Sequence, residues 1–289
     1  MKNFFKFIFI VGIIGMVVIN LARPTSNTSY SSYEDYSNEK QTNNTTNTWN
    51  STNVSNVTNV TNGTNTQTTT TKTETVVDKR VANYTGTVSD YRQREYKWVT
   101  VDGKYTFTIT LNLDYNVYKY YHSLDRYYEV EDFDQYYIDD FYSKQAVEVI
   151  VDNLKDLQRQ AGYSDAQIVA EAINFVQSNI TYQYDIDGTG QTEFPKYPLE
   201  TLFDKTGDCE DSAMLLASII EEMGYGVALL HYPGQHLAVG ALGGSGVTGT
   251  YYNYNGRNYF YIETTAKGWQ MGNMPDEYRN DTCYVYVLN

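Results

Sequence analysis

Cysteine is nearly absent from this chain: Cys209 and Cys283 are the two in 289 residues. That excludes a scaffold held together by disulfides. Positive charge is also scarce, with 21 Lys and Arg against 35 Asp and Glu and a formal charge of −14. A nucleic-acid binder needs a positive field to displace counterions, so that class is excluded. Adhesion to anionic lipid through the protein surface is excluded for the same reason. Long apolar runs are lacking too, apart from Phe7 to Ile19, which follows Lys2 and Lys6. This run has the length of a signal-peptide apolar region and is short for a membrane span, although Phe4 and Phe5 lengthen it if Lys6 snorkels. Val18 to Arg23 offers no small-x-small cleavage pattern. Residues 1–23 therefore read as an uncleaved signal anchor ahead of a cleaved signal peptide, with the N-terminus cytoplasmic and the remainder outside.

Residues 24–75 are dominated by Asn, Thr and Ser and cannot bury enough surface to offset the entropy of ordering. They carry Asn-x-Ser/Thr sequons at Asn27, Asn43, Asn44, Asn50, Asn53, Asn56, Asn59 and Asn62. That density suits a disordered, glycosylated surface stalk, spanning about 40 Å as a flexible coil.

From about Val76 the pattern becomes globular. Strand-forming residues flank Asp102-Gly103, which predicts a β-hairpin. Tyr115 to Tyr142 holds nine tyrosines among many acids; their expected use is to cover a sheet with half-exposed rings. Residues 76–142 thus read as a small β-rich segment, and 143–289 as the domain that carries the chemistry. There, Val147, Ile150, Val151, Leu154 and Leu157 form a helical stripe closed by Gly162. Ser164 and Gln167 make a capping-box pattern for a second helix. A third helix, Cys209 to Met223, is apolar around most of its circumference and should be central. Strands follow at Val227–Tyr232, Leu237–Leu242, Tyr259–Thr265 and Tyr284–Leu288, with turns at Pro233-Gly234 and Asn255-Gly256. Helices followed by an antiparallel sheet make an α+β fold.

Thr206-Gly207-Asp208-Cys209-Glu210-Asp211-Ser212-Ala213 is the most informative stretch. Asp208 reads as an N-cap, which puts Cys209 in the first turn of a buried helix, where the helix dipole favours a thiolate. Three flanking acids oppose that effect by raising the thiol's pKa. An imidazole partner would settle the balance. His236 is preferred over His231: on strand alternation it shares a face with the small residues Ala238 and Gly240, leaving room for a helix end. The orienting acid is then Glu263, opposite in face to Phe260 and Ile262. Gln177 is a candidate oxyanion donor beside the Cys209 backbone amide. No cofactor or metal is expected; a cation at Asp208, Glu210 and Asp211 is disfavoured because neighbouring positions on a helix diverge around it.

The chain resembles the transglutaminase-like superfamily through Gly207-Asp208-Cys209-Glu210-Asp211-Ser212-Ala213, Gly224-Tyr225 after the helix, His236 opening a strand, and Glu263-x-Thr265. Phe175-Val176-Gln177 and Tyr197-Pro198-Leu199-Glu200-Thr201-Leu202 make it most similar to archaeal exported members. The resemblance implies a papain-like core and a triad of Cys209, His236 and Glu263, with Glu263 where most relatives carry Asp. It also implies a cysteine hydrolase acting by acyl transfer on amide or isopeptide bonds of surface protein or cell-wall peptide. Protein or wall peptide is the expected partner, with membrane contact through the N-terminal segment alone. The rival expectation joins Cys209 to Cys283 in a disulfide and makes the domain a non-catalytic surface-binding module.

Overall fold

The computed structural model describes residues 84–243 and 247–288, together with the backbone of two short N-terminal pieces. Those pieces are strands β1 (Phe9–Val11) and β2 (Gly15–Leu21). β2 runs antiparallel to β4, from Gly15 opposite Leu111 to Leu21 opposite Tyr105. Parts of the run expected as an anchor or signal peptide thus fall in β1 and β2, and the expected stalk, 24–75, lies outside the described residues. Among the described residues no helix is long and apolar enough to cross a membrane.

The Asp102-Gly103 hairpin forms as expected from β3 (Tyr91–Val99) and β4 (Tyr105–Asp114), with Gly103 at φ +71°. Beyond it the tyrosine-rich stretch departs from the β-rich expectation. Asp114 caps α1 (Tyr115–His122) by accepting from the amides of Asn116 and Val117. A 3-10 turn at Val130–Asp132 and a π turn at Asp134–Ile138 follow. Tyr121 and Tyr137 are fully buried rather than spread over a sheet. Their hydroxyls find partners inside: Tyr121 donates to Asp140 at 2.8 Å, and Tyr137 accepts the Tyr127 amide at 2.9 Å. A buried phenol with a hydrogen-bond partner is tolerated, and that overrides the expected half-exposure at these two, while Tyr115, Tyr118, Tyr120, Tyr136 and Tyr142 are half-buried as expected.

Helices α2 (Phe141–Ala161) and α3 (Asp165–Asn179) match their sequence signals. Gly162 closes α2 in the left-handed region, and Ser164 with Gln167 completes the capping box of α3. Next come β5 (Thr181–Tyr182), α4 (Asp185–Gly188), α5 (Pro198–Asp204) and β6 (Thr206–Gly207), and then α6 (Cys209–Glu222). β5 and β6 pair in parallel, Thr181 with Thr206 and Tyr182 with Gly207. The remaining strands are β7 (Val227–Tyr232), β8 (His236–Leu242), β9 (Tyr251–Tyr254), β10 (Arg257–Ile262) and β11 (Tyr284–Val287). They form one antiparallel sheet in the order β11-β7-β8-β10-β9. The architecture is α+β.

A single core runs from Tyr96 in the hairpin to Leu288 near the C-terminus, so the hairpin is not a separate body. Helix α6 lies at its centre, packed on β8, β7, α2, α3 and α5. Met214, Leu215, Leu216, Ile219 and Ile220 of α6 are fully buried, each worth about 1.5–3 kcal/mol of transfer free energy. That packing fixes the helix axis, and with it the position of Cys209.

Candidate active site

The two faces of the central sheet serve different partners. Leu229, Leu237, Val239 and Ile262 join the main core under α6. Leu230, Tyr232, Ala238 and Tyr261 face the other way and are covered by Met274. His236 shares the second face, so the expectation that small neighbours admit the helix there is corrected. A helix apolar all round needs large apolar partners, and the Leu237 face supplies them.

Cys209 reaches the neighbourhood of His236 around the end of the sheet instead. The pairing of β8 with β10 stops at Val239 and Ile262, which leaves the first residues of β8 without a ladder partner on that side. The backbone amide of Leu237, one residue from His236, favours the charged form of the Cys209 sulfur. Tyr278 lies within the electrostatic reach of Cys209 and stacks on the His236 ring, with centroids 4.6 Å apart and planes 5° from parallel. Sulfur and imidazole thus share the start of β8.

Glu263 sits just past the end of β10, where the chain turns back on its own carboxylate. It is 3% exposed. One oxygen accepts the amides of Thr264 and Thr265, each at 2.9 Å, and the Thr265 hydroxyl at 2.7 Å. The other takes the Tyr261 hydroxyl at 2.8 Å and His236 Nε2 at 3.1 Å. Burial by itself raises a carboxyl's pKa, but the imidazole and the Thr265 donors outweigh it and hold Glu263 down at about 2. An ionised Glu263 accepts only, so Nε2 carries the proton and Nδ1 is left as the basic nitrogen. The carboxylate thus holds the imidazole ring at the start of β8, where the sulfur also lies.

The sulfur's own surroundings are acidic. Burial, then the charges of Glu210 and Asp208, push the Cys209 thiol well up. Its Sγ donates to Glu210 at 3.1 Å. Burial, with the flanking acids behind it, therefore opposes the thiolate that a helix start would favour. The acids perturb one another as well. Burial, Glu210 and Asp185 push Asp208 up to about 9, and burial with Asp208 raises Asp211. Asp208 has the extended backbone of an N-cap but makes no capping bond. Asp211 accepts the Lys196 amide at 2.7 Å rather than an amide of its own helix turn.

Gln177 does not serve as an oxyanion donor. Its amide nitrogen donates to the carbonyls of Glu263 at 2.7 Å and Trp269 at 3.0 Å, and its oxygen accepts the Gly268 amide at 3.0 Å. Both donor hydrogens are committed, so it pins the segment after Glu263 in place. It also lines an apolar cavity of about 410 Å³ with Val99, Tyr163 and Trp269, away from the cysteine. His231 stands apart too, half-buried on β7 beside Tyr286. Cys209 and Cys283 are both free thiols, so the disulfide rival is not what the fold contains.

Sequence reasoning missed several neighbours. Tyr278, the cover over His236, and Tyr261, which helps fix Glu263, come from strands and turns that the chemistry gave no reason to single out. Asp185 was visible only as the end of Tyr182-Gln183-Tyr184-Asp185. The β5–β6 bridge carries it to the start of α6.

No known protein-family profile matches this chain, and no curated protein sequence is similar to it. Among solved structures, it is similar to a candidate cysteine protease from Cytophaga hutchinsonii. That likeness has a TM-score of 0.31 and 12% identity, covering 70% of this chain and 77% of the other. A likeness so slight carries no argument, so the chemistry rests on the site itself.

Proposed function

We propose that the chain is a cysteine hydrolase with a transglutaminase-like, papain-related core, cleaving amide or isopeptide bonds through Cys209, His236 and Glu263. The observation that carries this is the Glu263 carboxylate, buried, ionised and bonded to His236 Nε2. Burying a charge in that geometry is costly unless it serves a partner, and here it fixes an imidazole tautomer with Nδ1 free. Nδ1 takes the proton of Cys209 as the sulfur attacks the carbonyl. The imidazolium, stabilised by Glu263, then returns that proton to the leaving amine. Water releases the acyl group in hydrolysis and an amine does so in transamidation. The Cys209 backbone amide, at the start of α6, is the available oxyanion donor.

The same proposal places the enzyme at a cell surface, with residues 1–23 as its anchor and 24–75 as a glycosylated stalk. Surface protein or wall peptide is then the substrate within reach. Wild type and Cys209→Ala are to be compared on peptide and isopeptide libraries, with and without added amines. Loss of all turnover in the variant is the expected result. Full activity in the variant removes the proposed nucleophile.

A further inference from the structure

Three of the eleven large apolar side chains left exposed among the described residues fall within five positions: Tyr182, Tyr184 and Ile186, at 41%, 62% and 56% exposure. Exposed apolar residues scattered singly are ordinary, whereas a cluster held on a fixed element marks a contact surface. The element is fixed by its own backbone bonds. Asp187 and Thr189 donate to the Tyr184 and Asp185 carbonyls at 3.0 and 2.7 Å. Asp185, 4% exposed, turns inward and accepts the Phe194 amide, which leaves Ile186 outside.

The cluster stands beside the nucleophile. β5 runs along β6, with Tyr182 opposite Gly207 and the Gln183 amide donating to the Gly207 carbonyl at 3.0 Å. Gly207 is two residues before Cys209. α4 is held against the same point, since carboxylate oxygens of Asp185 and Asp208 lie within 4.8 Å of each other. Burial, then Cys209 and Asp208, raises the pKa of the Tyr182 phenol, so that side chain is within electrostatic reach of the sulfur. The Tyr182 and Tyr184 rings meet edge to face, with centroids 5.2 Å apart and planes at 89°. Rings at a right angle make a corner rather than a flat platform. The face of a sugar gains most from a parallel ring, whereas a compact aliphatic or benzyl group fills a corner. Ile186, two residues on, adds aliphatic surface.

We propose that Tyr182, Tyr184 and Ile186 are specificity-determining residues, a ledge beside Cys209 that seats an apolar side chain of the peptide next to the scissile amide. This deepens the hydrolase reading and rests on it for the word substrate; the ledge itself is testable on the thiol alone.

The test alkylates Cys209 in the full chain with iodoacetamide and with N-benzyl iodoacetamide, each rate read by mapping the labelled peptide. The ratio of the two rates cancels changes in thiol ionisation, and dividing by the same ratio for free cysteine removes intrinsic reactivity. Wild type is expected to favour the benzyl reagent by at least about tenfold, equal to about 1.4 kcal/mol. Tyr184→Ser combined with Ile186→Ser should abolish the preference, and each single variant should lose part of it. Tyr128→Ser, which alters an exposed tyrosine elsewhere in the chain, should keep it. All of these side chains are exposed, and thermal unfolding checks that each variant is folded. On peptide libraries the double variant should raise KM for substrates with an apolar residue beside the scissile amide, by about tenfold, rather than lower kcat. Absence of a benzyl preference in wild type overturns the proposal, and so does a preference that survives the double substitution. Turnover that persists in Cys209→Ala sinks the hydrolase reading instead, while the alkylation ratio still decides the ledge.

Discussion

Replacing Glu263 with Gln keeps the side chain's shape and removes its charge, which isolates what the carboxylate does. The amide oxygen can still accept the three donors of Thr264 and Thr265. The amide nitrogen must then face Tyr261 and His236 Nε2, where two donors would meet. The imidazole resolves this by moving its proton to Nδ1, the wrong nitrogen for deprotonating Cys209. In a comparable His–carboxylate pair that error lowers kcat by about 10⁴-fold, and a loss of that order is expected here. Stability shifts in a defined direction. Folding lowers the Glu263 pKa from 4.5 to about 2, worth about 3 kcal/mol at 1.36 kcal/mol per pH unit. A lowered pKa stabilises above the unfolded value and is lost as pH falls through the folded one. Urea unfolding at pH 7 should therefore find Glu263→Gln weaker by about 3 kcal/mol. The gap should narrow below pH 4.5 and close near pH 2. Equal stability at pH 7, together with undiminished kcat, would refute the argument for an ionised, tautomer-fixing carboxylate.

Three other expectations are independent of it. Arg126 and Glu200 form a buried two-bond pair at 2.8 and 2.9 Å; Arg126→Met should cost about 3–5 kcal/mol in urea unfolding by leaving the buried carboxylate with only the half-exposed His122 ring and the Tyr197 amide, and adding Glu200→Gln should restore part of it. Glu210→Gln, which removes a charge bonded to the thiol, should speed iodoacetamide alkylation of Cys209 at pH 8 by at least about tenfold, because a unit charge at 4 Å is worth about 4 kcal/mol at an effective dielectric of 20; an unchanged rate would show that Glu210 does not control the sulfur. A side chain at Gly207 would meet the Asp211 Cβ at 2.5 Å, so Gly207→Ala should destabilise by about 1–3 kcal/mol and slow Cys209 alkylation, as read by thermal unfolding and peptide mapping.

Local signals were legible wherever the physics is local. Gly162, Gly103 and Asn255-Gly256 each settle their own turn or cap through left-handed backbone conformations that few other residues adopt, and the Ser164–Gln167 box settles its cap through side-chain hydrogen bonds. The all-round apolar character of 209–223 made α6 central, and the placement of Cys209 at its start followed. The residues of the proposed triad could be named because each carries its chemical type and sits at the end of an identifiable element. Signals that depend on partners were not legible. The tyrosines of 115–142 look like sheet cover until Asp140 and the Tyr127 backbone satisfy their hydroxyls. Gln177 looks like a free amide until three backbone groups from distant positions occupy it.

The sequence by itself determined the elements, the acidic character and the candidate nucleophile, because those follow from residue type and short-range spacing. Tertiary structure alone decided which face of the sheet receives α6, how the Glu263 carboxyl is held below its ordinary pKa, and how far burial raises that of the thiol. It also gathered Asp185, Asp208 and Asp211 into one buried group. The physical reason is common to all of these. Burial, charge and hydrogen-bond satisfaction belong to a place in the folded molecule, and a place is assembled from segments whose spacing along the chain does not announce that they will meet.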